Sequence, residues 1–326
     1  MRTRLAILVL PFLLVTLSAF RNPEADRAYR VGILITDDTY LAPVQGFKEG
    51  LRELGYLEGQ HVSYDLRNAK LDKDMLQRFA EQFVRERVDL IFTATYIGAQ
   101  AAKQATANTP IPVVFGPAGD PVETGLVKSI TTSGNNLTGV STLSLELTAK
   151  RMELLTRLVP SARKVGLLYN PDDRFSQEVA RQAHQAAERL HLAVTDIHGR
   201  NADEIVAATR AVGHGQADAL FAIPDVLINN QAGPLGQVAR EKRLPYVVHI
   251  RSLLEKGALA SYGINTQGIG RQAARLADKI FNGTKPSDIP IETPRRLELV
   301  INLAVARDIG LHVSEQVLRE ADAIVR

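Results

Sequence analysis

The residues of this chain with the clearest chemistry to offer stand at the ends of apolar runs. Thr93-Ala94-Thr95-Tyr96 follows Val88-Asp89-Leu90-Ile91-Phe92 and opens an alanine-rich helix from Gly98 to Ala107. Hydroxyls beside unpaired helix N–H groups suit a carboxylate or another anionic oxygen, and they suit a plain helix cap equally well. Asp225 follows Pro224 after the run Ala217-Asp218-Ala219-Leu220-Phe221. A carboxylate there could hold an ammonium group or simply cap a turn. Tyr40, Tyr96 and Phe175 could wall a small-ligand pocket or pack in a core. Asp120, Asn170 and the segment His249-Ile250-Arg251 also follow strand-like runs, and Arg251 would favour an acidic or carboxylated ligand.

Catalytic patterns are absent. The seven histidines, His61, His184, His191, His198, His214, His249 and His312, form no HExxH pair and join no serine in a nucleophile motif. Without cysteine, thiol nucleophiles, thiolate zinc sites and disulfides are excluded. Gly268-Ile269-Gly270-Arg271-Gln272-Ala273 matches the loose dinucleotide pattern but does not open a βαβ unit, so it reads as a flexible helix entry. Asp37-Asp38 and Asp172-Asp173 read as helix caps, because adjacent loop side chains diverge. Neither catalytic residues, nor a cofactor, nor a metal is expected.

The elements that must position these residues alternate. Val31 to Ile35 reads as a buried strand, Pro43 to Leu54 as an amphipathic helix, His61 to Asp65 as a strand, Met75 to Arg87 as a helix and Val88 to Phe92 as a buried strand. Strands follow at Pro112 to Phe115 and Thr138 to Ser141. Such alternation implies βαβ units and a parallel sheet, an α/β fold. Three landmarks then recur at an offset of roughly 130 residues: Val31 to Ile35 in Val165 to Tyr169, Val88 to Phe92 in Ala217 to Phe221, and Ile111 to Phe115 in Leu244 to Val248. Two similar Rossmann-like lobes follow from that order, although two unrelated parallel α/β domains would share runs of this kind. The helix from Gln267 to Phe281 and the strand Leu297 to Ile301 are too short for a third domain. They must complete the two lobes, so the chain crosses between them more than once and forms a multi-strand hinge. In open parallel sheets ligands gather outside the carboxyl ends of the strands, where the residues named above lie.

The 326 residues carry 39 Lys+Arg and 36 Asp+Glu, scattered without a basic patch, so no nucleic-acid partner is expected. Arg2 and Arg4 precede an uncharged stretch from Leu5 to Phe20, after which the chain turns polar. That is the layout of a secretory signal, with an uncleaved N-terminal anchor as the alternative. Removal of the segment takes both arginines and leaves the remainder nearly neutral.

Several segments resemble the ABC transporter substrate-binding proteins whose best-known members bind tryptophan or tyrosine. They are Gly46-Phe47-Lys48-Glu49-Gly50-Leu51-Arg52-Glu53-Leu54-Gly55-Tyr56-Leu57-Glu58-Gly59-Gln60, Asp120 to Val127, Asn136 to Ser141, Leu168 to Pro171, Lys256 to Gly263 and Glu298 to Leu303. The resemblance runs in order from about residue 29 to 312. It implies a type I periplasmic binding protein: two lobes, three crossovers, closure around a small solute such as an amino acid or small carboxylate, and delivery to a membrane permease. It matches ligand loops onto Thr93, Ala94, Thr95 and Tyr96, onto Asp120 and Pro121, onto Asn170 to Ser176 including Phe175 and Ser176, and onto Pro224-Asp225. Departures occur at Gly263-Ile264-Asn265-Thr266 and at His249-Ile250-Arg251. The expected organisation is a signal peptide and linker over 1–28, lobe 1 over 29–141 and 263–284, and lobe 2 over 142–262 and 285–326, as an extracytoplasmic monomer. A ligand-sensing domain for a signalling partner would keep this body, and an α/β enzyme such as a glycosyltransferase is a more distant reading. A transcription regulator is disfavoured, because the export segment occupies the place of a helix-turn-helix.

Overall fold

The computed structural model describes residues 28–213 and 215–326. The expected signal segment and linker therefore lie outside the described residues, save for Ala28. Five parallel strands build the first sheet: β1 (Tyr29–Ile35), β2 (Val62–Asn68), β3 (Leu90–Thr93), β4 (Val113–Phe115) and β5 (Leu137–Gly139), in the order β2-β1-β3-β4-β5. The second sheet has seven: β6 (Lys164–Tyr169), β7 (Ala193–His198), β8 (Ala219–Ala222), β9 (Tyr246–Val248), β10 (Ala260–Ile264), β11 (Leu297–Asn302) and β12 (Ala323–Val325). Its order is β12-β11-β10-β9-β8-β6-β7, so β7-β6-β8-β9-β10 repeats the arrangement of the first sheet strand for strand. The three sequence echoes fall on β1 and β6, β3 and β8, and β4 and β9. All are inner strands covered on both sides, which is why they read as apolar runs. The one antiparallel pair joins β10 to β11.

Helices α1 (Leu41–Glu53), α2 (Lys73–Arg85) and α3 (Tyr96–Thr106) flank the first sheet. Helices α4 (Ser144–Leu158), α5 (Arg174–Arg189), α6 (Ala202–Ala211), α7 (Val226–Asn230) and α8 (Ala232–Glu241) belong to the second. Helix α9 (Thr266–Phe281) returns to the first, while α10 (Leu303–Asp308) and α11 (Glu315–Glu320) end the chain on the second. Phe47 of α1 stacks on Phe92 of β3 with centroids 4.1 Å apart, both rings fully buried. Each ring contributes about 1.5–3 kcal/mol by leaving water.

Gly270 is not a flexible entry to a helix. It lies buried within α9, and a Cβ there would stand 2.0 Å from the Pro43 carbonyl oxygen of α1. Gly46 faces it in kind, 1.9 Å from the Gln267 carbonyl. The glycines let two helix backbones touch, and α9 is thereby clamped to the first lobe.

The chain passes between lobes three times, between β5 and α4, between β10 and α9, and just before β11. The last return comes later than the boundary at 284 expected from the sequence. Thr132 and Thr138 bond through their hydroxyls to the carbonyls of Ser287 and Ile289, and the amides of Ile291 and Glu292 bond to Ile130 and Gly139. Residues 285–292 thus seal the edge of the first sheet, because Thr138 and its neighbours would otherwise leave buried polar groups unpaired.

Candidate functional site

The carboxyl ends of both sheets face each other across the cleft, and their loops enclose a cavity of about 70 Å³. From the first lobe Tyr40 reaches it beyond β1, Ala94, Thr95 and Tyr96 beyond β3, and Gly119 beyond β4. From the second lobe come Phe175 in the first turn of α5, Asp225 beyond β8, His249 beyond β9 and Arg151 from α4. One water needs about 10–15 Å³ of such space, so about five waters would fit, roughly 150 Å³ as liquid. That is the size of an amino acid and less than a disaccharide needs.

Local rules place the loop residues. Asp225 caps α7, its Oδ1 accepting the Ile228 amide at 3.0 Å, and its Oδ2 accepts the hydroxyl of buried Ser176. Thr95 caps α3 through the Gly98 amide at 3.1 Å. A Cβ at Gly98 would lie 2.3 Å from Thr93 Oγ1, so only glycine lets the helix begin so close to the strand end. Asp173 caps α5 by accepting the Ser176 amide at 2.7 Å, and Asp37 accepts the Thr39 amide at 2.8 Å, as the paired aspartates were expected to do.

The structure brings Tyr40, Ala94, Thr95, Tyr96, Phe175 and Asp225 to the cavity wall. Thr93 and Ser176 are buried behind it, the first donating to the Thr95 carbonyl and the second holding Asp225. Asp120 and Asn170 stand away from it. Asp120 accepts the amides of Val122 and Glu123, and Asn170 accepts that of Asp172 while lining a neighbouring recess of the cleft. Arg251 is exposed and outside the wall. It begins a 3-10 turn, Arg251–Lys256, whose buried side is Leu253 and Leu254, and their burial turns Arg251 to solvent.

The two lobes touch across the cavity. Tyr96 donates to Asp173, and Asn229 Nδ2 donates to the Tyr40 hydroxyl at 3.3 Å. The Tyr96 and Phe175 rings stand 5.8 Å apart, centroid to centroid. Gly119, with φ +66, lies beneath Phe175; a Cβ there would be 3.3 Å from the ring.

Charges on the wall lack protein partners. Asp225 is 5% exposed and no cation pairs with it among the described residues. Burial raises its pKa, against the hydrogen bonds from Ser176 and Ile228. Arg151, 2% exposed, was missed by the sequence reading. Burial alone lowers its pKa to about 9, so it remains a cation at neutral pH. His249 is half-buried, with Nδ1 sealed from solvent and unbonded. Burial, then the neighbouring Arg151 charge, holds its pKa well below the ordinary value. The Oδ1 of Asn229 is likewise buried without a donor. The signal for Arg151 was its position: Leu147, Arg151, Leu154, Leu155 and Leu158 share the buried stripe of α4, where a cation has no ordinary reason to stand. Among the described residues no cluster of His, Asp and Glu could hold a metal, and no helix is long and apolar enough to cross a membrane.

Residues 30–325 match the family described as ABC transporter substrate binding protein. A tyrosine-binding protein of Clostridioides difficile is 32% identical over 259 residues, 79% of this chain and 73% of that one. Among solved structures, an ABC domain from Streptococcus pneumoniae in complex with L-Trp superposes with a TM-score of 0.85 at 24% identity, over 92% of this chain and 100% of that one. The ligand-free, open structure of a Clostridium difficile substrate binding protein with adhesive properties gives 0.70 at 27% identity, over 92% of this chain and 99% of that one.

Proposed function

We propose, from the premise that this chain belongs to the family of ABC transporter substrate-binding proteins, that its solute is an amino acid and that an aromatic side chain suits it best. Membership makes the protein a non-catalytic, extracytoplasmic component that binds a small solute for transport. The observation that carries the finer reading is the cavity between the lobes, in which the buried, cation-free carboxylate of Asp225 stands beside the rings of Tyr40, Tyr96 and Phe175. A carboxylate desolvated in this way is stabilised by an ammonium group, and aromatic rings make good walls for another ring. The tyrosine-binding relative points the same way. Tyr40 and Asn229 meet across the cleft on the cavity wall, so a solute in the cavity beside them touches both lobes and favours the closed form by its differential affinity. In this reading the segment 1–28 is the export signal, the protein works as a monomer in the periplasm, and the closed lobes present the solute to a membrane permease.

Thermal melting with tyrosine, tryptophan, phenylalanine and aliphatic amino acids tests it. A ligand at 100 times its dissociation constant adds about 2.7 kcal/mol, several degrees of melting temperature. Asp225→Asn keeps an acceptor for the α7 cap but removes the charge, and is expected to lose most of the shift. Equal shifts in Asp225→Asn and the parent would remove Asp225 from the ammonium role. Indifference to every aromatic amino acid would end the aromatic reading.

A further inference from the structure

Among the described residues, Arg151 is the one buried side chain whose charge neither the fold nor the reading above uses. Its hydrogen bonds all run to its own helix: Nε to the Leu147 carbonyl at 3.3 Å, and Nη2 to the Ser144 carbonyl at 2.9 Å and Thr148 Oγ1 at 3.1 Å. None uses Nη1, and no carboxylate lies within ion-pair distance among the described residues. Buried arginines are ordinarily paired, since an isolated charge in a poorly polarisable interior is costly. The head faces the same cavity as His249, whose Nδ1 is buried without a partner. Arg151 thus lacks an anion and has Nη1 to spare, His249 has an unbonded Nδ1 on the same wall, and both can donate to an anionic oxygen.

We propose that Arg151 receives the carboxylate of the solute, so that a carboxylate is obligatory for tight binding and its arrival completes the closed cavity. This deepens the amino-acid reading and rests on it for the identity of the solute, but not for the charge. Arg151 and Asp225 then hold opposite ends of a zwitterion. A planar guanidinium suits the task because it can grip both carboxylate oxygens at once. An acid receives two charge-assisted bonds there; a carboxamide would leave the guanidinium without an anion.

The chain contains no tryptophan, so the fluorescence of added tryptophan reports binding without background. The experiment titrates tryptophan and tryptophanamide into the parent protein, Arg151→Gln and Arg151→Lys, and melts each protein without ligand. The parent is expected to bind the acid about 100-fold more tightly than the amide, the range seen when one partner of a buried charged pair is removed. In Arg151→Gln that preference should collapse to a few-fold, with Arg151→Lys in between. Without ligand, Arg151→Gln should melt no lower than the parent, because an unpaired buried charge has been removed. Equal affinity for acid and amide in the parent, or an unchanged preference in Arg151→Gln, would overturn the proposal, even if aromatic amino acids bind. A lower melting point in Arg151→Gln with the acid preference intact would make the residue structural and overturn it too. If the parent ignores tryptophan, tyrosine and phenylalanine, the aromatic reading fails separately. Melting with aliphatic amino acids, small carboxylates and their amides then decides Arg151: an acid preference lost in Arg151→Gln keeps it, and a parent that no carboxylate shifts refutes it.

Discussion

Two arginines, one in each lobe, are withdrawn from water and treated in opposite ways. Arg67 on β2 is surrounded by compensation. Its Nη2 lies 2.6 Å from Asp65 and 2.7 Å from Glu86, its Nη1 donates to Gln82 at 2.7 Å, and its guanidinium lies 4.3 Å from the centroid of the Phe83 ring. Burial works against its charge, yet the bonds it donates to Asp65 and Glu86 leave its pKa above the ordinary value. Arg151 has the burial without the acids, and its pKa falls. A cation whose partners come from its own strand and from the helix packed beside it belongs to the fold. One that lacks them on the wall of a cavity takes its counter-charge from outside the chain.

Methionine at each position separates the two roles. Arg151→Met should lose about 100-fold in affinity for the solute and keep or raise the melting temperature of the ligand-free protein. Arg67→Met should leave affinity within about twofold and cost about 1 kcal/mol, a modest figure because Asp65 and Glu86 are partly solvated, which lowers the melting point by roughly 2–4 °C. Binding titrations, and melts with and without solute, on the parent and the two variants check both. If the two variants behave alike, the contrast between a structural and a ligand-binding arginine is lost.

The same contrast explains what the sequence disclosed. Inner strands such as Leu90–Thr93 and Ala219–Ala222 are buried throughout and almost wholly apolar because both faces are covered, so the repeat, the parallel sheets and the loops beyond the strands could be read directly. The edge strand Ala193–His198 alternates weakly and went unseen, and the antiparallel pairing of β10 with β11 joins segments far apart in sequence. Tyr40, Thr95, Tyr96 and Asp225 were accessible because topology puts ligands at strand ends. Arg151 follows a crossover on a helix, outside that rule, and only its place in an apolar stripe marks it. Arg251 stands two to three residues beyond a strand, where the rule points, but Leu253 and Leu254 take the buried side of its turn.

A smaller effect is expected where the lobes meet. The Tyr96 hydroxyl donates to Asp173 across the cleft, whereas the ring lies against Phe175. Tyr96→Phe keeps the wall and removes the bond. One such bond is worth about 1 kcal/mol, so affinity should fall about fivefold, seen mainly as faster dissociation. Asp173 is the poorer residue to change, because it also caps α5 through Ser176. Stopped-flow dissociation of tryptophan from parent and variant is the measurement, and an unchanged rate would mean that the hydroxyl does not hold the lobes together.

The smallest effect belongs to His249, where acid should test the Arg151 wall without changing it. The folded pKa lies well below 6.5, first through burial and then through the Arg151 charge. Between the folded and unfolded values the unfolded chain carries the extra proton, so this residue makes stability rise with pH in that window and fall as acid is added below about 6.5. The slope for one proton is at most about 1.4 kcal/mol per pH unit, or a few degrees of melting temperature. Subtracting melts of His249→Asn from those of the parent at pH 5.5 and 7.5 isolates it. A bound carboxylate neutralises Arg151 but leaves burial, the larger cause, in place, so the difference should persist when the solute is present. If parent and His249→Asn show no difference between the two pH values, His249 is not held neutral by burial in the folded protein, and the wall it shares with Arg151 is open to water.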